Sequence, residues 1–174
     1  MTSSFISIPK DSFTILVGYA SFLTRLIAEI PRKFPHGKII YIHSDGGRIY
    51  LHPSCGERSR ITYIQERNII DLLAMLETDP ARLTIIQYDP EWFRHNEEYI
   101  GPFGHICRER SQNRKAVLFI SDFFDYPISE LESMADKMVC VQEALNLWKD
   151  SHVQTSSGLR SSHFKKRGQQ CLVF

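Results

Sequence analysis

The chain lacks most of what lets composition assign a function. It has no surplus of charge: 21 Lys and Arg stand against 20 Asp and Glu, a formal +1, so no global field draws it to nucleic acid or anionic lipid. It has no long apolar run; nothing approaches the roughly 20 residues of a membrane span, and the N-terminus has no basic-then-apolar leader pattern. These absences give the expectation of a cytoplasmic protein with no membrane partner. Cysteine is scarce and scattered. Cys55, Cys107, Cys140 and Cys171 form no C-x-x-C pair, which favours free thiols in a reducing compartment over bridges. There is no internal repeat and no low-complexity segment. What remains is the composition of an ordinary globular protein, 174 residues long, enough for one domain with a sizeable core.

Motifs of site chemistry are also missing. His52 and Cys55 have H-x-x-C spacing, with His36 and His43 elsewhere, but zinc needs about four ligands and no second pair completes the set; no metal site is expected. Ser21 sits in G-Y-A-S and not in G-x-S-x-G, so a serine nucleophile is not supported. Asp122, Asp125, Glu130, Glu132 and Asp136 follow the apolar run Ala116–Ile120. They read first as a solvated helix face whose leading acids suit the helix dipole. The alternative is a cation site at the ligand-binding end of an α/β sheet.

What is there is organised around Phe13–Ile30, FTILVGYASFLTRLIAEI. The short apolar and β-branched run Phe13–Val17 predicts a strand covered on both faces. Gly18 makes the turn, Ser21 is the predicted N-cap, and Phe22, Leu23, Leu26, Ile27 and Ile30 recur at helical spacing. Pro31 is expected to end that helix or lie just past it. Lys38–His43 follows as a strand, giving a right-handed parallel βαβ unit. Ile49–His52 and Ile61–Ile64 read as short strands, Glu66–Glu77 as a helix and Leu83–Ile86 as a buried strand. Gly101-Pro102 and Gly104 predict a helix that is broken or starts late, with Ile106–Ser111 as its last turns. Ala116–Ile120 is the clearest core strand, Pro127–Ala135 an acidic helix, and Lys137–Val141 the next strand. Cys171–Phe174 is expected to return as an edge strand antiparallel to it. Alternation of strands and helices predicts an α/β fold, a three-layer sandwich with a mostly parallel central sheet. It forms a single domain over 1–174, with an N-terminal extension at 1–12 and a mobile basic loop at 151–168.

A strand, a glycine turn and a helix start form the layout that cradles phosphate. The Walker pattern G-x-x-x-x-G-K-[ST], laid from Gly18, puts Leu23 on its second glycine, Thr24 on its lysine and Arg25 on its hydroxyl residue. The geometry is present and the chemistry is not. Gly18, Ser21, Thr24 and Arg25 are therefore read as a vestigial phosphate loop.

Three stretches together resemble the RecA/KaiC-type P-loop ATPase core in a degenerate form. ILVGYASFLTRLIAEI stands where that family has its nucleotide loop and first helix. KIIYIHSDGG stands where its second strand ends near a catalytic carboxylate, with Asp45 in about that place. AVLFISDFFDYPISELESMADKMVCV is similar to its pattern of strand, loop, acidic helix and an Ala-Asp pair, here Ala135-Asp136, entering the next strand. Gln87 stands where the family has its magnesium-site Asp, with Asp89 two residues later. The resemblance implies a RecA-like core closed by a C-terminal antiparallel hairpin, and a relative that no longer hydrolyses ATP. No cofactor is expected beyond weak nucleotide binding, and the implied role is a scaffold that assembles with itself or with a catalytic paralogue.

The tail supplies the alternative. No acid occurs from Ser151 onward, while Arg160, Lys165, Lys166 and Arg167 cluster around Phe164. That composition suits a mobile loop touching phosphates, hence a DNA-binding accessory protein in recombination or repair. Arg108, Arg110, Arg114 and Lys115 form a second basic cluster. An active ATPase with an unorthodox loop is the third reading. A protein partner or homo-oligomer is expected first, and DNA second.

Overall fold

A computed structural model of the chain describes residues 8–44, 61–141 and, for the backbone, 169–172. Among these residues seven strands form one sheet: β1 (Phe13–Val17), β2 (Ile39–His43), β3 (Ile61–Gln65), β4 (Leu83–Gln87), β5 (Ala116–Ser121), β6 (Lys137–Val141) and β7 (Gln169–Leu172). The helices are α1 (Ala20–Lys33), α2 (Ile69–Thr78), α3 (Ile100–Gln112) and α4 (Tyr126–Glu132), with 3-10 turns at Pro90–Trp92 and Glu97–Tyr99. The strand order is β3-β2-β4-β5-β1-β6-β7, and every pairing is parallel.

Handedness sorts the helices. The β1-to-β2 crossover runs one way across the sheet, and the crossovers from β3, β4 and β5 run the other way. Right-handed crossovers of opposite direction must lie on opposite faces. Accordingly α1 packs with Leu16, Tyr41, Ile85 and Leu118 on one face. Residues of α2, α3 and α4 pack with Ile15, Ile40, Ile86 and Phe119 on the other. The fold is thus α/β with helices on both faces of a parallel sheet. Val17, Ile40, Ile85, Leu118 and Phe119 are each 0% exposed, as a doubly covered sheet requires.

Local rules account for most elements and err at four. Leu23, Leu26, Ile27 and Ile30 form the buried stripe of α1, each contributing about 1.5–3 kcal/mol of apolar burial. That burial holds the helix through Pro31 to Lys33, past the expected stop; Pro31 is itself buried. The N-cap is Tyr19 in extended conformation, and Ser21 lies inside the helix. α2 starts later than Glu66, because Asn68 caps it by accepting from the Asp71 N–H. α3 is unbroken from Ile100. Pro102 falls within the first four positions, whose N–H groups have no helical partner to lose. Gly104 is there for contact: a Cβ would come within 2.2 Å of Met134 Sδ and 3.1 Å of Leu131 Cδ2, so its absence lets α3 settle against α4.

The last strand overturns the expected hairpin. β7 pairs with β6 in parallel, Met138 opposite Gln169 and Val141 opposite Leu172. An apolar run signals a strand but not its direction, and the segment 142–168 is ample for the crossover that a parallel neighbour needs. Ile49–His52, Asp45, His52, Cys55 and the basic loop with Arg160, Lys165, Lys166 and Arg167 lie outside the described residues. No helix among the described residues is long and apolar enough to cross a membrane.

Candidate functional site

Parallel strands deliver all their carboxyl ends to one edge, and ligands of open α/β sheets bind there at points where neighbouring connections diverge. Here β1 leads to α1 on one face, while its neighbour β5 leads to α4 on the other. The crevice between them is flanked by Gly18, Tyr19 and Ser121 to Asp125.

This crevice is filled by the protein itself. Only Gly18 and Tyr19 separate β1 from α1. The Gly18 N–H is spent on Ser121 O at 2.9 Å, and the N–H groups of Phe22 and Leu23 return to Tyr19 O. A Cβ on Gly18 would lie 3.0 Å from the Phe22 ring and 3.1 Å from Val141 Cγ2. The turn is crowded by side chains, and a Cβ there would need Phe22 and Val141 to give by a few tenths of an ångström. Leu23 is a core residue at 0% exposure. Thr24 donates its hydroxyl to Ala20 O at 2.9 Å. Ser21 and Arg25 are exposed on the helix. The four residues read as a phosphate loop thus occupy a turn and two helical turns, and do not converge on a cradle.

The acids of this edge are bound to structural partners. Asp125 caps α4 by accepting from the Ile128 N–H at 3.3 Å, and its other oxygen accepts the Tyr88 hydroxyl at 2.6 Å. Burial drives the Asp125 carboxyl above its usual range and outweighs those two hydrogen bonds. Burial, with the Asp125 charge beside it, raises the Tyr88 phenol as well. Asp89 accepts from the Glu91 N–H at 2.9 Å through one oxygen and from the Ser44 hydroxyl through the other. Gln87, at the place of the expected magnesium ligand, is buried and accepts the Tyr41 hydroxyl. A neutral amide so engaged is a poor substitute for a carboxylate toward a hard cation. Glu66 is raised by burial and by the nearby Asp71 charge, and its carbonyl receives the Trp92 indole N–H at 3.2 Å.

The acidic stretch does not gather. Asp122 and Asp125 lie at the carboxyl edge, whereas Asp136 sits at the amino edge. There it accepts from the Phe13 N–H at 2.8 Å and donates its own N–H to Phe13 O at 2.9 Å. Among the described residues no three His, Cys, Asp or Glu side chains are grouped to hold a metal ion. The basic cluster divides too. Arg110 is buried, while Arg108 and Arg114 are exposed. The Cys107 thiol is fully buried and pushed up by desolvation, a packed side chain and not a nucleophile.

Two aromatic side chains are exposed at the carboxyl edge, beside exposed Asp122. Phe123 is 37% and Tyr126 57% exposed, and Phe123 stacks on Tyr88 at 5.4 Å between ring centroids. Sequence reasoning missed the Tyr88–Asp125, Ser44–Asp89 and Tyr41–Gln87 pairs. Their signal was a polar residue at the end of each buried run: Ser44 after IIYIH, Gln-Tyr-Asp after LTII, Ser-Asp after AVLFI. No family model matches the chain, and no curated protein matches it in sequence.

Proposed function

We propose that the protein is a non-catalytic interaction module, a RecA/KaiC-like core that works as a regulatory scaffold by assembling with itself or with a catalytic paralogue. The observation that carries this reading is the two-residue β1–α1 turn. Its glycine N–H is already bonded and its space is taken by Phe22 and Val141. A phosphate cradle needs several free N–H groups pointing into an open loop. Phosphoryl transfer also needs cations to neutralise the transferring charge, and Leu23, Thr24 and Gln87 supply none at the positions expected to hold them. Among the described residues, exposed Phe123 and Tyr126 on the β5–α4 connection offer a partner the aromatic character enriched at protein interfaces.

Titration calorimetry with magnesium-ATP, together with light scattering, tests this. The expected result is background hydrolysis, no nucleotide heat that depends on Arg25, and a mass above the monomer that falls when Phe123 and Tyr126 are both changed to Ser. Micromolar nucleotide affinity, with turnover abolished by Arg25→Ala, would overturn it.

A second reading, a DNA-binding accessory protein, rests on the acid-free basic segment with Arg160, Lys165, Lys166 and Arg167. Under that reading DNA retention falls steeply with salt, and the triple change of Lys165, Lys166 and Arg167 to Ala removes it. No retention at low salt would end it.

A further inference from the structure

The opposite edge of the sheet, at the amino ends of the strands, holds a cleft of about 280 Å³, lined chiefly by Lys10, Asp11, Lys33, Phe34, Arg82 and Arg114. We propose that this cleft binds a compact polyphosphate anion, of the class represented by inorganic pyrophosphate.

Four fixed cations face one carboxylate, in a chain whose overall charge is nearly balanced. Lys33 lies in the last turn of α1, where a cation also suits the helix dipole, so the argument rests on the other three. Lys10, Arg82 and Arg114 are exposed, and the described residues pair no acid with any of them within ion-pair distance. They come from three separate places in the chain: the turn before β1, the residue before β4 and the turn before β5. A solvated helix face would give a run at helical spacing; here the topology brings the charges together. Two guanidinium groups provide the planar forks that grip phosphoryl oxygens bidentately. Phe34, Pro35 and Ala116 supply an apolar wall.

The backbone at the rim points the same way. Arg114 has φ 59°, in the left-handed region, at the position just after the α3 C-cap Asn113 where glycine is preferred. Gly37, at φ 100°, lies under Arg82: a Cβ there would come within 2.4 Å of Arg82 Cδ. The turn thus seats the Arg82 stem, and Arg114 stands where glycine would relieve strain; Asp11, the carboxylate of the cleft, has φ 63° as well.

The test is calorimetric titration of the full chain with sodium pyrophosphate at low ionic strength, with Arg82→Gln and Arg114→Gly as variants. The wild-type protein should bind, with affinity falling as salt rises. Each variant should weaken binding about tenfold, equivalent to losing one charged hydrogen bond of about 1.4 kcal/mol. Arg114→Gly should melt at or above the wild-type temperature, so lost binding cannot be ascribed to unfolding. Arg25→Ala, at the other edge, should bind as wild type, which separates this site from any residual nucleotide loop. Absence of pyrophosphate binding would overturn the proposal, as would binding insensitive to both variants or citrate binding as tightly as pyrophosphate. Persistence of scaffold assembly in the same variants would leave the interaction reading untouched.

Discussion

Replacing Arg110 with Ala should destabilise the protein by about 3 kcal/mol, the lower end of the range for breaking a buried ion pair. The side chain is 3% exposed. Its Nε donates to Thr84 Oγ1 at 3.0 Å, Nη1 to Leu76 O at 2.6 Å and Asp79 O at 2.7 Å, and Nη2 to Ala81 O at 3.4 Å. The Asp79 carboxylate lies 3.5 Å away. Arg110 therefore satisfies the open carbonyls at the end of α2, where Pro80 cannot donate. Truncation leaves Leu76 O and Ala81 O without this donor, at about 1–3 kcal/mol for each group left unsatisfied and dry. Two observations hold the loss near the bottom of the range. Asp79 O also receives Lys115 Nζ at 3.3 Å and Asp79 Oδ2 receives Lys38 Nζ at 2.8 Å, and an adjoining cleft of about 250 Å³ gives water a way in. Lysine cannot reproduce the fork, so Arg110→Lys should recover less than half of the loss. The assay is urea denaturation followed by far-UV circular dichroism, with a double-mutant cycle against Asp79→Asn. A loss under about 1 kcal/mol at unchanged m-value, or no coupling in the cycle, would refute the reasoning and return Arg110 to the surface cluster suggested by sequence.

Two further stability predictions concern other buried groups. Leu118, fully buried at the centre of the sheet, should cost about 2–5 kcal/mol when changed to Ala, by transfer and cavity contributions together; calorimetric melting measures it. Asp125 should give a pH signature: its folded carboxyl lies above the ordinary 3.8, chiefly by desolvation. The stability linked to its protonated form is complete below that ordinary value and is lost as pH rises through the raised one. Asparagine keeps the cap through its one oxygen, and its NH2 can donate to the Tyr88 hydroxyl oxygen in place of accepting from it, so Asp125→Asn should gain on wild type as pH rises through the mildly acidic range; a pH-independent difference in urea midpoint would contradict this.

The strands were legible because burial on both faces leaves a plain record. FTILV, LTIIQ and AVLFIS are buried at every position, and only a central parallel strand demands that. The α3 region was not legible, because Gly101, Pro102 and Gly104 are breakers by local rule. The rule was overridden by position in the first turn for Pro102 and by the approach of Met134 for Gly104, a contact thirty residues away that no window contains. Arg110 was misjudged for a reason the sequence did hold: Phe103, Cys107 and Arg110 share one helical face, and all three are buried. A cation on an apolar stripe signals a buried polar network. The carboxyl-edge pairs join residues 37 to 46 apart in sequence, so their polar ends were visible while their partners were not.

The two edges of the sheet bear on what a restored phosphate loop would require. Placing Gly, Lys and Ser at 23–25 would reproduce the letters of the Walker pattern without its geometry. In that motif the glycine-rich stretch is loop between strand and helix, whereas here α1 begins two residues after Gly18. Position 23 belongs to the core, and glycine there would empty it. A lysine at 24 would stand on helix, away from the turn. An insertion between Gly18 and Ala20 would be needed first, and it would have to release the Gly18–Ser121 hydrogen bond and move Phe22 and Val141 away from the turn. Substitution alone does not convert one state into the other. The closed turn is better understood as a packed element than as a damaged site, so an anion is better sought at the amino edge, where Lys10, Arg82 and Arg114 remain open to solvent.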